Sequence, residues 1–479
     1  MTRRRPPGEL AIVLHTHMPY VEGGGEWPPE DRESFLRHPE GFGTWPFGEE
    51  WLWEAVATSY LPLLEVLGRA PITLSLTPVL CDQLEAAGAI ERCLQFLNEV
   101  RPESHRRDVE GFRNTGQEEL ARELERSAAD YAAVAARLEA LAPDGLLSAL
   151  GRHAGWTSAA THAVLPMLAS DTGIALQVQT GIASHRRRFG DWAGGFWLPE
   201  CAYAPWLDEI LEEASVRCTC VELTSLLGEG ADGHLAPLLT EAGPVMWPID
   251  RRTISLVWSE HGYPSSPAYR DYHRLTAHHH RVWRNDGLPY DSAAAQALVR
   301  EHAADFVGRV RERVRSGGVC VCALDTELLG HWWYEGVWWL AAVVDEAARQ
   351  RLPMTTLDDS LERHEPSPAP AGIGVSSWGE GGDLRTWSGP RVADLAWQAR
   401  SAELRVLAMG RWPGERVLRE LLATQASDWA FLVSRGLAGE YPRARARAHA
   451  DALERALEGG SPADLALRNL APEVVGWSG

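Results

Sequence analysis

The sequence predicts an α/β fold assembled from parallel β/α units. Three observations carry the prediction. Apolar runs of strand length alternate with helical patterns. Several of those runs end in histidine or carboxylate residues, and parallel folds gather their sites at the carboxyl ends of strands. A charged, Ala-rich helical stretch interrupts the alternation, and further helical sequence closes the chain.

The first strand is predicted over Leu10–Leu14 and runs into His15-Thr16-His17. A Gly/Pro/acid-rich loop follows from Val21 to Trp45, then a helix near Glu49–Leu67 and a strand over Ile72–Leu76. The stretch from Gln83 to Gly155 reads as helical. Within it Thr115 and Glu118 fit a capping box, and Leu120, Leu124, Ala128, Tyr131, Leu138 and Leu141 recur at helical spacing. Strand-like runs return at Gly195–Leu198, Cys218–Val221 and Val319–Leu324. Glu365–Ala371 is Pro-rich and reads as a linker or surface loop. Beyond Val392 the pattern is helical, ending in an amphipathic Ala/Arg-rich helix to about Leu457. The expected organisation is a catalytic region over 1–385, with a helical insertion at about 83–155, and a C-terminal helical domain over 386–479.

Length and composition bound the function. The 479 residues leave room for two or three domains, or one large enzyme domain with additions. The net charge of −20 argues against nucleic acid or an acidic membrane as partner. No stretch approaches the roughly 18 apolar residues of a membrane span. The run Leu10–Leu14 is too short for the apolar core of a secretory signal. The seven Cys residues include no C-x-x-C. Cys218/Cys220 and Cys320/Cys322 place alternate thiols on one strand face, which reads as reduced core cysteine in a cytoplasmic protein. Trp is abundant, 21 against 9 Phe and 10 Tyr. That surplus can mean core, and it also suits stacking on the apolar faces of sugars.

Two strand ends carry acids. Trp197-Leu198-Pro199-Glu200 sets Glu200 at a Pro-marked turn, and Leu324-Asp325-Thr326-Glu327 does the same for Asp325, with Glu327 as a rival two residues on. Paired carboxylates flanked by aromatics are what glycosyl transfer needs: one attacks or stabilises the anomeric carbon, the other moves protons on and off oxygen. His15 and His17 permit three readings: metal ligation, hydrogen bonding to a polar substrate, or a structural pair. His162 reads as structural when taken alone. The tract His278–His280 reads as a solvated loop, and Gly379–Gly382 as a turn presenting Trp378 and Trp387.

Taken in order, these segments resemble glycoside hydrolase family 57, and within it the 1,4-α-glucan branching enzymes. The resemblance rests on His15-Thr-His17-Met-Pro19-Tyr20, Thr44-Trp45-Pro46 through Leu52, and Ala159-Ala160-Thr161-His162 with Leu165-Pro166. It continues through Phe196–Tyr203, Asp325–Gly336, Ser376–Gly381 and Ser427-Asp428-Trp429. It implies an incomplete (β/α)7 TIM-like barrel with a helical insertion and a C-terminal helical domain. It implies retaining chemistry on an α-glucan polymer, in glycogen-type metabolism, with no metal or other cofactor. Glu200 would be the nucleophile and Asp325 the acid/base. Retention would set their carboxyl groups about 5–5.5 Å apart. His15, His17 and His162 would line the subsite of the cleaved glucose, and Trp45, Trp258, Trp378 and Trp387 the groove.

The chain departs from the family pattern in one loop. Branching enzymes of this type carry a Tyr on a mobile loop over the site. The equivalent stretch, Glu222–Val245, has none, and its tip offers His234 instead. The departure bears on transfer against hydrolysis, because such a loop excludes water. The loop over 22–43 also looks longer than usual. Competing expectations are an α-amylase or 4-α-glucanotransferase of the same chemistry, a metal-dependent deacetylase or amidohydrolase using His15 and His17, and a glycan-binding protein with little catalysis.

Overall fold

The computed structural model describes residues 8–22, 48–141, 145–459, 467 and 469–475. Nine strands form one sheet: β1 (Glu9–Thr16), β2 (Thr73–Leu76), β3 (Ala154–Ser158), β4 (Gly195–Trp197), β5 (Cys218–Val221), β6 (Leu238–Leu239), β7 (Val245–Pro248), β8 (Val319–Asp325) and β9 (Ser367–Pro368). Their order is β8-β1-β2-β3-β4-β5-β7-β6-β9. The strands from β8 through β7 pair in parallel, which makes the seven-stranded incomplete barrel. β7 gives its free edge to antiparallel β6, so β7 and β8 do not join as a ladder. A single backbone bond, Asp250 N–H to Val321 O at 2.9 Å, spans that gap.

Burial on both faces explains why β1 and β8 are continuous apolar runs rather than alternating ones. Leu10 through Leu14 are fully buried, as are Cys320 and Cys322. All seven cysteines are buried free thiols. The strand register aligns the polar ends. His15 pairs with Ser75 of β2 on one side and with Asp325 of β8 on the other.

Helices cover the barrel. Asp171–Phe189 starts at Ser170, whose side chain accepts from Gly173 N–H, and Ser292–Arg313 starts at Asp291, which accepts from Ala293 and Ala294. Between β2 and β3 the chain is helical from Pro78 to Ala140 with short breaks, and again over Gly145–Gly151. After β9 come helices Ala393–Leu407, Glu415–Gln425, Ser427–Ser434 and Tyr441–Leu457. Their Val406, Leu418, Leu422 and Leu453 share one core with Val79, Ala160 and Leu176 from the barrel side. Among the described residues no helix is long and apolar enough to cross a membrane.

Three local expectations need correction. Thr115 is no N-cap: its hydroxyl donates to Gly111 O and Phe112 O, ending the helix before it, and the next helix starts only at Glu118. The Pro-rich stretch is not only a linker, because Ser367–Pro368 is β9 and pairs with β6. The histidine tract is not solvated. His280 is buried against His105 with ring centroids 3.8 Å apart, and His278 Nδ1 lies 2.6 Å from Asp108 Oδ1.

Candidate active site

A cleft of about 480 Å³ opens at the carboxyl ends of β1, β4 and β8. Glu200 reaches it because β4 ends at Trp197 and Pro199 starts a tight turn. The backbone there is strained: Glu200, Cys201 and His162 have φ of 63°, 48° and 56°. Non-glycine residues adopt that region at a cost of about 1–3 kcal/mol and cluster at functional sites. The turn is held from outside, since Trp378 N–H donates to Glu200 O at 3.0 Å. The Trp378 indole N–H donates to Glu200 Oε2 at 2.8 Å, and Ser427 Oγ donates to Oε1 at 3.4 Å. Burial pushes the Glu200 carboxyl up to about 7, with Asp428 adding to the rise and Trp378, His17 and Ser427 opposing it.

Asp325 ends β8 and also lines the cleft. Among the described residues none hydrogen-bonds its carboxyl group. Burial, then the charges of Glu200 and Glu327, hold it well above the usual carboxylate range. Glu327 differs. Its Oε1 accepts from Tyr60 O–H at 2.6 Å and from His17 N–H at 3.0 Å. Tyr60 comes from a π-helical turn, Val56–Tyr60, whose Ser59 hydroxyl also donates to Thr326 O at 3.0 Å. Such turns recur at functional sites. Glu327 is therefore occupied by the protein, while the Asp325 carboxyl is left for a ligand.

The three histidines form one cluster. His162 lies 4.0 Å from His17 and 4.8 Å from His15, ring centre to ring centre. His17 and His162 line the cleft. His15 sits behind them, 1% exposed, stacked on Trp197 at 4.7 Å. This differs from the expected lining role, because β1 is still within the barrel at His15 and leaves it only at His17. Burial, aided by the neighbouring histidines, keeps His15 and His162 well below the usual imidazole range. With Ser427 O–H donating to Glu200, neutral rings give a directed chain: Ser427 Oγ accepts from His162 Nδ1–H at 2.8 Å, and His162 Nε2 accepts from His15 Nε2–H at 2.8 Å. Burial alone would lower His17, but Asp428, 2.8 Å from its Nε2, with Glu327 and Glu200 beyond, raises it overall.

His17, His162 and Asp428 are near enough to share a metal ion. The imidazole nitrogens are already used, however, while Asp428 Oδ2 is left without a partner among the described residues. His17 Nδ1 lies 3.2 Å from Thr77 Oγ1 and its Nε2 bonds Asp428, while both nitrogens of His162 are engaged as above. The donor set fits a hydrogen-bonding pocket better than a metal centre, where open ligand positions are needed.

Trp258 and Trp378 line the cleft, joined by Trp51 and Trp332, whereas Trp387, expected in the groove, borders it as a core side chain only 1% exposed. Trp45 lies outside the described residues, as does most of the loop over 22–43. Gly379 is required where it is, since a Cβ there would stand 2.7 Å from the Trp387 ring. The Trp surplus divides between the two roles expected of it: Trp156, Trp197, Trp247, Trp339 and Trp429 are core. Sequence reasoning did not single out Tyr60, Arg251, Ser427 or Asp428 as site residues. Ser427-Asp428 was visible as a motif, but only folding brings it from the C-terminal helices to the barrel histidines. Arg251 Nη2 donates to Trp378 O at 3.0 Å and its Nε to Glu222 at 2.9 Å, tying the Trp378 turn to the segment after β7.

This geometry has counterparts. Residues 155–370 match the family model described as glycosyl hydrolase family 57, and residues 410–470 match that of the 1,4-alpha-glucan branching enzyme C-terminal region. A probable 1,4-alpha-glucan branching enzyme of Mycobacterium tuberculosis is 31% identical, over 93% of this chain and 91% of its own. The chain belongs to glycoside hydrolase family 57. Two solved family 57 branching enzymes superimpose on it. That of Pyrococcus horikoshii has a TM-score of 0.82 at 31% identity, covering 97% of this chain and 94% of its own. That of Thermococcus kodakaraensis, in complex with glucose, has a TM-score of 0.83 at 29% identity, covering 98% and 96%.

One expectation for this family 57 chain is overturned. His234 does not stand over the cleft in place of the loop Tyr. It is 2% exposed, with Nδ1 3.1 Å from Ile249 O and Nε2 3.2 Å from Gly228 O. A short helical turn, Asp232–Leu235, and β6 anchor the loop beside β7, so the imidazole points into the protein. No described residue from 222 to 245 lines the cleft.

Proposed function

We propose that the chain is a 1,4-α-glucan branching enzyme acting by retention, with Glu200 as nucleophile and Asp325 as acid/base. The observation that carries the role assignment is the contrast between Asp325 and Glu327: one carboxyl is free in the cleft, the other is held by Tyr60 and His17. The likeness to branching enzymes over nearly the full chain supports the substrate class. The catalytic region is 1–385 and the helical domain 386–479, the latter supplying Ser427 and Asp428. The buried free thiols support a cytoplasmic setting.

The steps follow from the site. The Glu200 carboxylate attacks the anomeric carbon of an α-1,4-linked glucose while Asp325 donates its proton to the departing oxygen. A covalent glucosyl-enzyme forms and the chain beyond the cut leaves. Asp325, now ionised, removes the proton of a 6-hydroxyl on an acceptor chain. That oxygen attacks the anomeric carbon, frees Glu200 and forms an α-1,6 branch. His17, His162 and Asp428 contact the hydroxyls of the cleaved unit, and His15 positions His162. Trp258 and Trp378 stack along the glucan, with Trp378 also orienting Glu200 and the buried Trp387 packing behind the Trp378 turn.

A second reading within the same chemistry is hydrolysis or α-1,4 transfer, favoured by the Tyr-free loop lying away from the cleft. Incubation with amylose, following α-1,6 linkages and reducing ends by proton NMR with Glu200→Ala as control, decides between them. New α-1,6 signals with few net reducing ends are expected. Reducing ends without branches would replace the proposal by a hydrolase, and neither signal would leave a glycan-binding protein.

A further inference from the structure

Trp332 plays no part in the mechanism above, yet it is among the most deliberately supported side chains in the cleft. It follows Asp325 by one loop, and that loop is locked by its own backbone. Trp332 N–H donates to Glu327 O at 3.0 Å, Trp333 N–H to Leu328 O at 2.8 Å, and Gly330 N–H to Trp333 O at 2.8 Å. The indole ring stacks on Tyr272, with centroids 5.0 Å apart and planes 20° from parallel. The Arg281 guanidinium lies 4.1 Å over the Tyr272 ring, and its Nη1 donates to His331 O at 2.8 Å. Trp51 is tied into the same assembly, its indole N–H donating to His331 Nε2 at 3.1 Å. Trp51 and Trp332 both line the cleft that holds Asp325.

Trp333 and Trp339 beside it are fully buried. Trp332 instead stays half-exposed although Tyr272 and Arg281 brace it. Bracing removes the ordering cost that a free side chain pays on binding. It is the arrangement expected of a platform for a flat, partly apolar ligand such as a pyranose. Position decides which sugar. An acid/base touches the glycosidic oxygen, so a ring held on the loop leading out of the acid/base strand meets the sugar beyond that oxygen.

We propose that Trp332, backed by Tyr272 and Arg281 and flanked by Trp51, is the stacking platform for the glucose beyond the scissile oxygen, first of the leaving chain and then of the acceptor. The inference rests on the glycosidase reading of Glu200 and Asp325, and it supplies what the Tyr-free loop lacks. A sugar held at this platform occupies the space from which water would otherwise attack the covalent intermediate.

The test uses a maltooligosaccharyl α-fluoride as donor and a maltooligosaccharide as acceptor. Attack by Glu200 breaks the C–F bond and releases fluoride, which occupies no sugar subsite. Water or an acceptor hydroxyl then breaks the enzyme ester. The ratio of transfer to hydrolysis is read within each variant, so changes in total fluoride release do not enter it. In Trp332→Ala that ratio is expected to fall about tenfold, with Trp332→Phe retaining most of it. Tyr272→Ala, which removes the brace from outside the cleft, is expected to lower it several-fold. An unchanged ratio in both Trp332→Ala and Tyr272→Ala would overturn the platform while leaving the glycosidase reading intact. No fluoride release from the unaltered protein would sink that reading, and the platform with it.

Discussion

The indole N–H of Trp378 donates to Glu200 Oε2 at 2.8 Å, so an aromatic of the groove also holds the nucleophile. Trp378→Phe keeps a ring and removes the donor. A donor to a carboxylate favours its ionised form, so Glu200 should hold its proton to higher pH in the variant. Glu200 must be ionised to attack, and activity should fall as pH drops through about 7 in the unaltered enzyme. The acid limb of kcat/KM on amylose is expected to move to higher pH in Trp378→Phe. An unmoved acid limb would show that the bond does not govern ionisation.

Glu327 acts on the other limb. Burial first, then Glu200 and Glu327, raise the proton affinity of Asp325. Asp325 must be protonated to start the reaction, so activity falls as pH rises through its raised value. Glu327→Gln removes one negative neighbour and should bring the alkaline limb to lower pH. Measured pH profiles check this, and a shift in the opposite direction would refute the assignment of the acid.

The pair of Asp428 and His17 makes a stability prediction. His17 is raised in the folded protein. Its contribution is therefore fully present below its unfolded value of about 6.5 and is lost as pH rises through the folded value. Asp428→Asn should lower the melting temperature most at pH 5.5–6 and progressively less toward pH 9. A deficit independent of pH would mean the pair is not charged.

Gly330 has φ of 98°, and a Cβ there would stand 1.8 Å from Thr58 O in the π-helical turn. Gly330→Ala must separate that turn from the acid/base loop or distort both. The expected cost is about 2–4 kcal/mol, combining overpacking and backbone strain. Urea unfolding measures it, and a loss below about 0.5 kcal/mol would show the contact to be soft.

His234→Ala separates the structural from the functional account of the Tyr-free loop. The buried imidazole contacts two carbonyls and no part of the cleft. Its removal should destabilise the protein by about 1–3 kcal/mol and leave the balance of branches to reducing ends unchanged in the NMR assay. A changed balance would return the loop to the active site.

Much of this protein was determined by the sequence alone. Continuous apolar runs such as Leu10–Leu14 and Val319–Leu324 are of strand length and read as strands buried on both faces, as they are, and their polar ends point to the site. The strands without such patterning were not legible. β6 and β9 are two residues each, too short for any period to appear, and β7, though as long as β5, carries a Trp-Pro end that does not read as a strand. Their identity is set by the neighbours they pair with. At the site, Glu200, Asp325, His17 and His162 could be read because each follows a strand or sits in a recognisable segment. What only the tertiary structure decided is how these groups are partnered. Two residues, Asp325 and Glu327, share a residue class and a strand end, and the difference between them is a Tyr60 hydroxyl 267 positions away. Ser427 and Asp428 meet His162 and His17 across 265 and 411 positions of chain. Local pattern records which face a side chain uses. Its ionisation and its partners depend on long-range packing, and so on the fold as a whole.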